Sequence, residues 1–197
     1  MDVTALQGLT TLFVKQRFTL MVNRYEVWAA DQAGNPTVMV AFAQQKRMAL
    51  KEQVTLYTDD TKTTVVAGFK ARQVIDLGAT YDVTDGVGTP IGLFRKDFAK
   101  SLLRSTWHVE QSGLPPIMGQ ERSMLVALLR RFSDISFLPY HFDFATGGAS
   151  DAGGTPVFSV EKKWGIRDKY IVSIRNPQID RRLVIAMSVA LDALQSR

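Results

Sequence analysis

Apolar and polar positions alternate in short runs along most of this chain. Phe18 to Val22, Tyr25 to Trp28, Val38 to Phe42, Val54 to Tyr57, Thr64 to Phe69, Tyr81 to Val83 and Ile91 to Phe94 are such runs. They are rich in β-branched and aromatic residues and bounded by Gly, Pro, Asn or Asp, which predicts short antiparallel strands. Gln120 to Phe132 has another period. Met124, Leu125, Leu128 and Phe132 recur at helical spacing, with Arg122, Arg130 and Arg131 at other positions. This predicts a short helix near 120–132, inserted between two halves of the sheet after Pro115-Pro116 end a strand. Ala145 to Thr155, rich in Gly, Ser and Ala, is expected to be a flexible loop at a hairpin tip.

The last element reads differently again. Asp180 is a good N-cap, and Leu183, Val184, Ile185, Met187, Val189 and Leu191 point in every direction around the helix that follows. A helix apolar all round must be buried on all sides. Between Arg181 and Leu194 it would measure about 21 Å at 1.5 Å per residue. That is short for a bilayer span and suited to threading a β-barrel. Ser188 is the polar residue within it, expected to bond a carbonyl of its own helix or a strand.

Three times the chain reads strand, Asp-x-x-Gly-x-Pro, strand: Asp31, Gly34, Pro36; Asp85, Gly88, Pro90; Asp151, Gly154, Pro156. An aromatic strand precedes each, at Tyr25, Tyr81 and Phe142. Asp can bond its own backbone, Gly supplies positive φ, and Pro needs no ladder N–H at the start of the next strand. These are hairpin turns. Calcium loops need alternating oxygen ligands and a distal Glu, which this spacing lacks.

Composition adds limits. At 197 residues, 46% hydrophobic and 22% charged, the chain is expected to fold as one domain over 1–197. There is no cysteine, which excludes disulfides and thiolate metal sites. Met1-Asp2 lacks a basic n-region and no stretch is long and apolar enough for a membrane helix, so a cytoplasmic protein is expected. A net charge of +5 favours anionic partners.

The search for chemistry finds little. His108 and His141 sit in strand-like surroundings without an adjacent nucleophile. Gly86-Val87-Gly88 lacks the Gly-Lys-Ser/Thr of a phosphate loop, and Asp59-Asp60 reads as a turn. Basic residues recur after strands instead: Lys46, Arg47 and Lys51; Lys70 and Arg72; Arg95, Lys96, Lys100 and Arg104. Gathered at one rim of a barrel they would form a solvated basic surface or face an anionic lipid. The aromatics alternate with polar positions and point inward, which argues against nucleic acid. Arg181 and Arg182 open the terminal helix and Asp192 nears its end, each opposing the helix dipole. They are expected to reach solvent at the barrel mouths, where partners or water screen them, or, for the arginine pair, to wait for an anion.

Short hairpins followed by one all-round apolar helix resemble the tubby C-terminal-like superfamily, which includes LURP-one-related proteins and phospholipid scramblases. The resemblance runs from about Leu12 to Leu194. It is carried by Phe13-Val14-Lys15-Gln16, by Tyr25-Glu26-Val27 before the Asp31-Gly34 turn, by Tyr81-Asp82-Val83 with Asp85 and Gly88, and by Asp180 through Ala186. It implies a mainly β fold: a closed antiparallel β-barrel of about 12 strands enclosing the C-terminal helix. It further implies a non-enzymatic domain without cofactor. The expected partner is an anionic phospholipid or membrane surface, as tubby domains bind phosphoinositides. The alternative is a soluble protein-interaction or scaffolding domain. A monomer is expected. The candidate ligand-binding residues are Arg95, Lys96, Lys46, Arg47, Lys70, Arg72, Arg181 and Arg182.

Overall fold

The computed structural model describes residues 3–18, 22–46, 53–72, 80–97, 105–123, 141–163 and 169–195. A five-residue helix, α1 (Val3–Gln7), leads into twelve strands: β1 (Thr11–Phe18), β2 (Val22–Ala30), β3 (Pro36–Lys46), β4 (Gln53–Tyr57), β5 (Val65–Ala71), β6 (Thr80–Asp85), β7 (Pro90–Asp97), β8 (Thr106–Glu110), β9 (Ile117–Glu121), β10 (His141–Thr146), β11 (Thr155–Lys163) and β12 (Lys169–Ile174). A second helix, α2 (Arg181–Gln195), follows them.

Each strand pairs antiparallel with its sequence neighbours, and β1 pairs with β12 to close the ring. Closure removes the unpaired edges that an open sheet would leave. Alternation decides what lies inside. Leu12, Val14, Tyr25, Val27, Phe69, Val83, Phe94, Trp107, Phe142, Phe144, Val160 and Val172 are buried, while most of the positions between them are not.

The lumen is filled by α2. Every residue from Leu183 to Met187 and from Val189 to Leu191 is 0% exposed, so the helix is buried on all its faces. Asp180 caps it: its Oδ1 accepts from the Arg182 amide at 2.8 Å and its carbonyl from Val184 at 3.1 Å. Ser188 Oγ donates to the Val184 carbonyl at 2.8 Å, satisfying the one buried hydroxyl within its own helix. Gly92 on β7 lets the helix approach, since a Cβ there would stand 2.9 Å from Leu183 Cδ2 and run into the Glu110 carbonyl.

Two of the three repeated turns are alike in detail. Gly34 (φ 82°) and Gly88 (φ 93°) take the left-handed conformation. Asp31 Oδ1 accepts from the Asn35 amide at 2.8 Å, and Asp85 Oδ1 accepts from Thr89 at 2.8 Å and Val87 at 3.0 Å. The backbone bonds of Asn35 and Thr89 hold these carboxyls below the usual carboxylate range. A depressed folded pKa gives stability that is present above the unfolded value and lost as pH falls through the folded one. The double variant Asp31→Asn, Asp85→Asn is therefore expected to flatten the loss of thermal stability below about pH 4. An acid melt no shallower than that of the wild type would show the turns to be irrelevant to it.

The third copy departs. Asp151 lies in a 3-10 turn (Ser150–Ala152), and the positive φ of 86° belongs to Gly153. Gly154 is required by crowding instead: a Cβ there would stand 2.9 Å from the Ala149 carbonyl and run into that of Gly148. The expected flexible loop is thus a compact turn with Ala149 buried beneath it, and Ala145, Thr146 and Thr155 belong to strands. The run Phe18 to Val22 is not one strand, because Phe18 ends β1 and Val22 begins β2. Gln120 and Glu121 extend β9, and the remainder of the helix expected near 120–132, from Met124 onward, lies outside the described residues.

Candidate functional site: a basic rim and an outer groove

An up-and-down barrel places the end of every odd strand beside the start of the next even one. The register makes this concrete. Lys15 pairs with Lys169, Lys163 with Lys169, Gln53 with Lys70, Thr80 with Arg95 and Val22 with Lys46. All of these positions belong to one rim. The described turns of the opposite rim carry Asp31, Asp59, Asp60, Asp85, Asp151 and Asp180, beside the cations Lys62 and Arg175, with Arg181 and Arg182 at the start of the helix. The helix runs from that rim to the basic one.

On the basic rim the acids are already engaged. Arg17 bonds Glu26 at 2.6 Å, Arg72 grips Asp82 at 2.7 and 2.8 Å, and Arg122 bridges Asp143 and Glu161 at 2.8 and 3.0 Å. His108 Nε2 lies 3.1 Å from Asp97 Oδ2. Among the described residues Arg24, Lys70, Arg95, Lys163 and Lys169 are exposed cations with no ion pair. Lys96 is half-buried, its Nζ 5.8 Å from the centroid of the Trp107 ring. Burial pushes the His141 imidazole below its ordinary pKa, and its Nδ1 makes no hydrogen bond.

Of the residues proposed from sequence, the structure brings Lys70, Arg72, Arg95 and Lys96 to this rim. Lys46 ends β3 at the same rim, while its side chain and Arg47 lie outside what is described. Arg181 and Arg182 are at the other end; Arg181 does not reach solvent as expected, while Arg182 is partly exposed and screened by a partner. Arg181 is 2% exposed and donates to the carbonyls of Leu9, Asn176, Pro177 and Ile179 at 2.8–3.3 Å. Arg182 donates to Asp180 at 2.6 Å. Asp192 also turns inward, accepting from Tyr25 at 3.0 Å and from Tyr170. Arg24, Lys163 and Lys169 were missed; reading the hairpins as a meander would have aligned them with the others.

A groove of about 470 Å³ opens on the outer wall of β4, β5 and β6 beside the rim. Gln53, Gly68, Lys70, Arg72, Asp82 and Thr84 line it. Gly68 pairs with Thr55 on one side and Thr84 on the other, so the missing side chain makes the depression.

The fold defines a closed twelve-strand antiparallel barrel plugged by its own C-terminal helix. The LURP-one-related family model matches residues 39–192, and the chain belongs to that family, a member of the tubby-like C-terminal superfamily. Barrels of this family are generally non-enzymatic. No curated protein matches the chain significantly. Among the described residues no group of three or more metal-ligating side chains is present, and no helix is long and apolar enough to cross a membrane.

Proposed function

We propose that this barrel is a non-catalytic module that binds an anionic lipid surface through its basic rim. The observation that supports the reading is the set of five exposed, unpaired cations, Arg24, Lys70, Arg95, Lys163 and Lys169, on one rim, with aspartates on the other. Each cation held near an anionic bilayer contributes about 1 kcal/mol, and the attraction falls off within a Debye length of about 8–10 Å. Cations spread over a barrel wall would not all come within that distance together. Cations on one rim do, when the barrel stands end-on.

The triple variant Arg24→Glu, Arg95→Glu, Lys163→Glu is expected to fold normally, since all three side chains are exposed. It should lower partitioning to vesicles containing phosphatidylserine by about 100-fold or more. Lys96 is a poor choice for reversal because it packs over Trp107. Wild-type protein that stays off such vesicles at low salt would favour the soluble interaction module instead.

A further inference from the structure

β3 outruns the strand beside it. It extends over Pro36–Lys46, yet its register with β4 runs only through Phe42 opposite Tyr57 and Ala43 opposite Leu56. After Tyr57 the chain turns away from β3. Thr58 donates its amide to the Thr64 carbonyl at 3.0 Å, and Asp59 closes the turn by accepting from the Thr61 amide at 3.0 Å. Among the described residues no strand pairs with Pro36–Ala41 on that side, so the wall has a free edge there. Val38, 50% exposed, marks the opening. We infer that this edge is a docking line for an extended peptide of a partner protein, which adds to β3 along the path that β4 leaves. In such strand addition the main chain supplies affinity and alternate side chains supply selectivity.

The surroundings define the peptide. On the outer face Ile171, Phe13, Trp28 and Met39 stand opposite one another across β12, β1, β2 and β3, each half-buried, and Met39 ends the row at the free edge. A peptide side chain set beside Met39 lengthens that row, and an aromatic or aliphatic one matches it. The charges lie at the ends of the line. From Pro36 to Ala43 β3 carries none. The turn with Asp59 and Asp60 bounds one end and the turn with Asp31 the other, while Lys62 of the first turn reaches to Gln44 Oε1 at 3.3 Å. The matching segment is therefore apolar in its middle and basic at both ends. A second copy of the chain suits the edge less. Two β3 edges would meet over about 20 Å, a seam too short to give the ~800 Å² per partner of a stable interface. Pro36 brings no N–H, and the register shifts against β2 bend the edge, which discourages one sheet from stacking on another. The edge lies toward the end away from the basic rim, so a surface held at that rim leaves it open.

The test is an array of synthetic peptides of about seven residues, with lysine at both ends, valine and threonine between, and the central residue varied. Fluorescence anisotropy reads the affinity. Wild-type protein should bind peptides with an aromatic or aliphatic centre about threefold or more tightly than those with glycine there. Methylating alternate backbone amides of the tightest binder should weaken it by about tenfold or more, because the main-chain donors are lost. Glutamate in place of both terminal lysines should weaken it about tenfold. Hydrogen exchange should slow at amides between Thr37 and Ala41 when the peptide is bound. Met39→Lys, at a half-exposed position, should melt like the wild type and lose about tenfold in affinity. No binding by any peptide of the array up to about 1 mM, binding indifferent to amide methylation, or protection confined to other parts of the barrel would overturn the docking line. Concentration-dependent pairing of the wild type in sedimentation, abolished by Met39→Lys, would overturn the peptide and give the edge to a second copy.

Discussion

Ile185→Asp is expected to leave no folded protein at ordinary temperature. Ile185 is 0% exposed at the centre of α2, with the barrel wall around it. A carboxylate there has neither water nor a cation, and an isolated buried charge costs several kcal/mol even after the protein relaxes. Removing residues 180–195 is expected to do the same by another route. Burial of Leu183, Val184, Ile185, Met187, Val189 and Leu191 contributes on the order of 10–20 kcal/mol gross, at about 1.5–3 kcal/mol per side chain. The net stability of a whole domain is about 5–15 kcal/mol. Circular dichroism melts decide the matter. A soluble truncated protein that melts cooperatively near the wild-type temperature would make the helix peripheral and overturn the account of the lumen given above.

Arg181→Met is the second large effect. Its guanidinium occupies the end of the barrel where the chain passes from β12 into α2, and it ties four carbonyls from two parts of the chain, Leu9 and the segment Asn176, Pro177 and Ile179. Methionine fills much of the volume and supplies no donor. Pro177 and Ile179 keep the Gln7 amide at 3.0 and 2.9 Å, so Leu9 and Asn176 are the carbonyls left without a partner. At about 1–3 kcal/mol each, a loss of about 2–6 kcal/mol is expected, read from urea midpoints. Arg181→Lys should fall between, because one ammonium cannot reach all four oxygens at once. Near-wild-type stability of Arg181→Met would mean that the arginine is there for something other than the carbonyls.

The strands and the helix were legible because both depend on local pattern, whereas closure into a barrel of about twelve strands came from the resemblance to the tubby-like superfamily. Alternation marks half-buried strands, and an apolar run with no polar face marks a helix that must lie inside something. The boundary between β1 and β2 was not legible, because Phe18 and Val22 look alike whether the chain turns between them or not. The third turn joins antiparallel β10 and β11 as expected, but its internal roles were misread. Its Asp-x-x-Gly-x-Pro spelling matches the other two, but the neighbouring Gly153 takes over the left-handed position and Gly154 serves close packing. Arg181 was misjudged because a sequence shows the charge of a residue and not the carbonyls that converge on it. That Lys70, Arg72, Arg95 and Lys96 share one rim was legible because cations recur after strands. The groove beside them was not found, because it is made by an absent side chain at Gly68, bracketed by threonines on other strands.

The helix that fills the lumen follows every strand in chain order. A ribosome therefore delivers all twelve staves before it delivers the filler, and β1 waits for β12 until every strand between them has been made. Neighbouring strands can zip as they emerge, since each connection is local. The ring cannot close profitably around an empty apolar space, so the nascent sheet stays open, with β1 as an unpaired edge. Closure and filling then become one event, which waits for α2 to emerge. Substitutions in α2 should on this account lower the yield of folded protein in the cell more than its measured stability suggests, and holding chaperones should recover part of the loss.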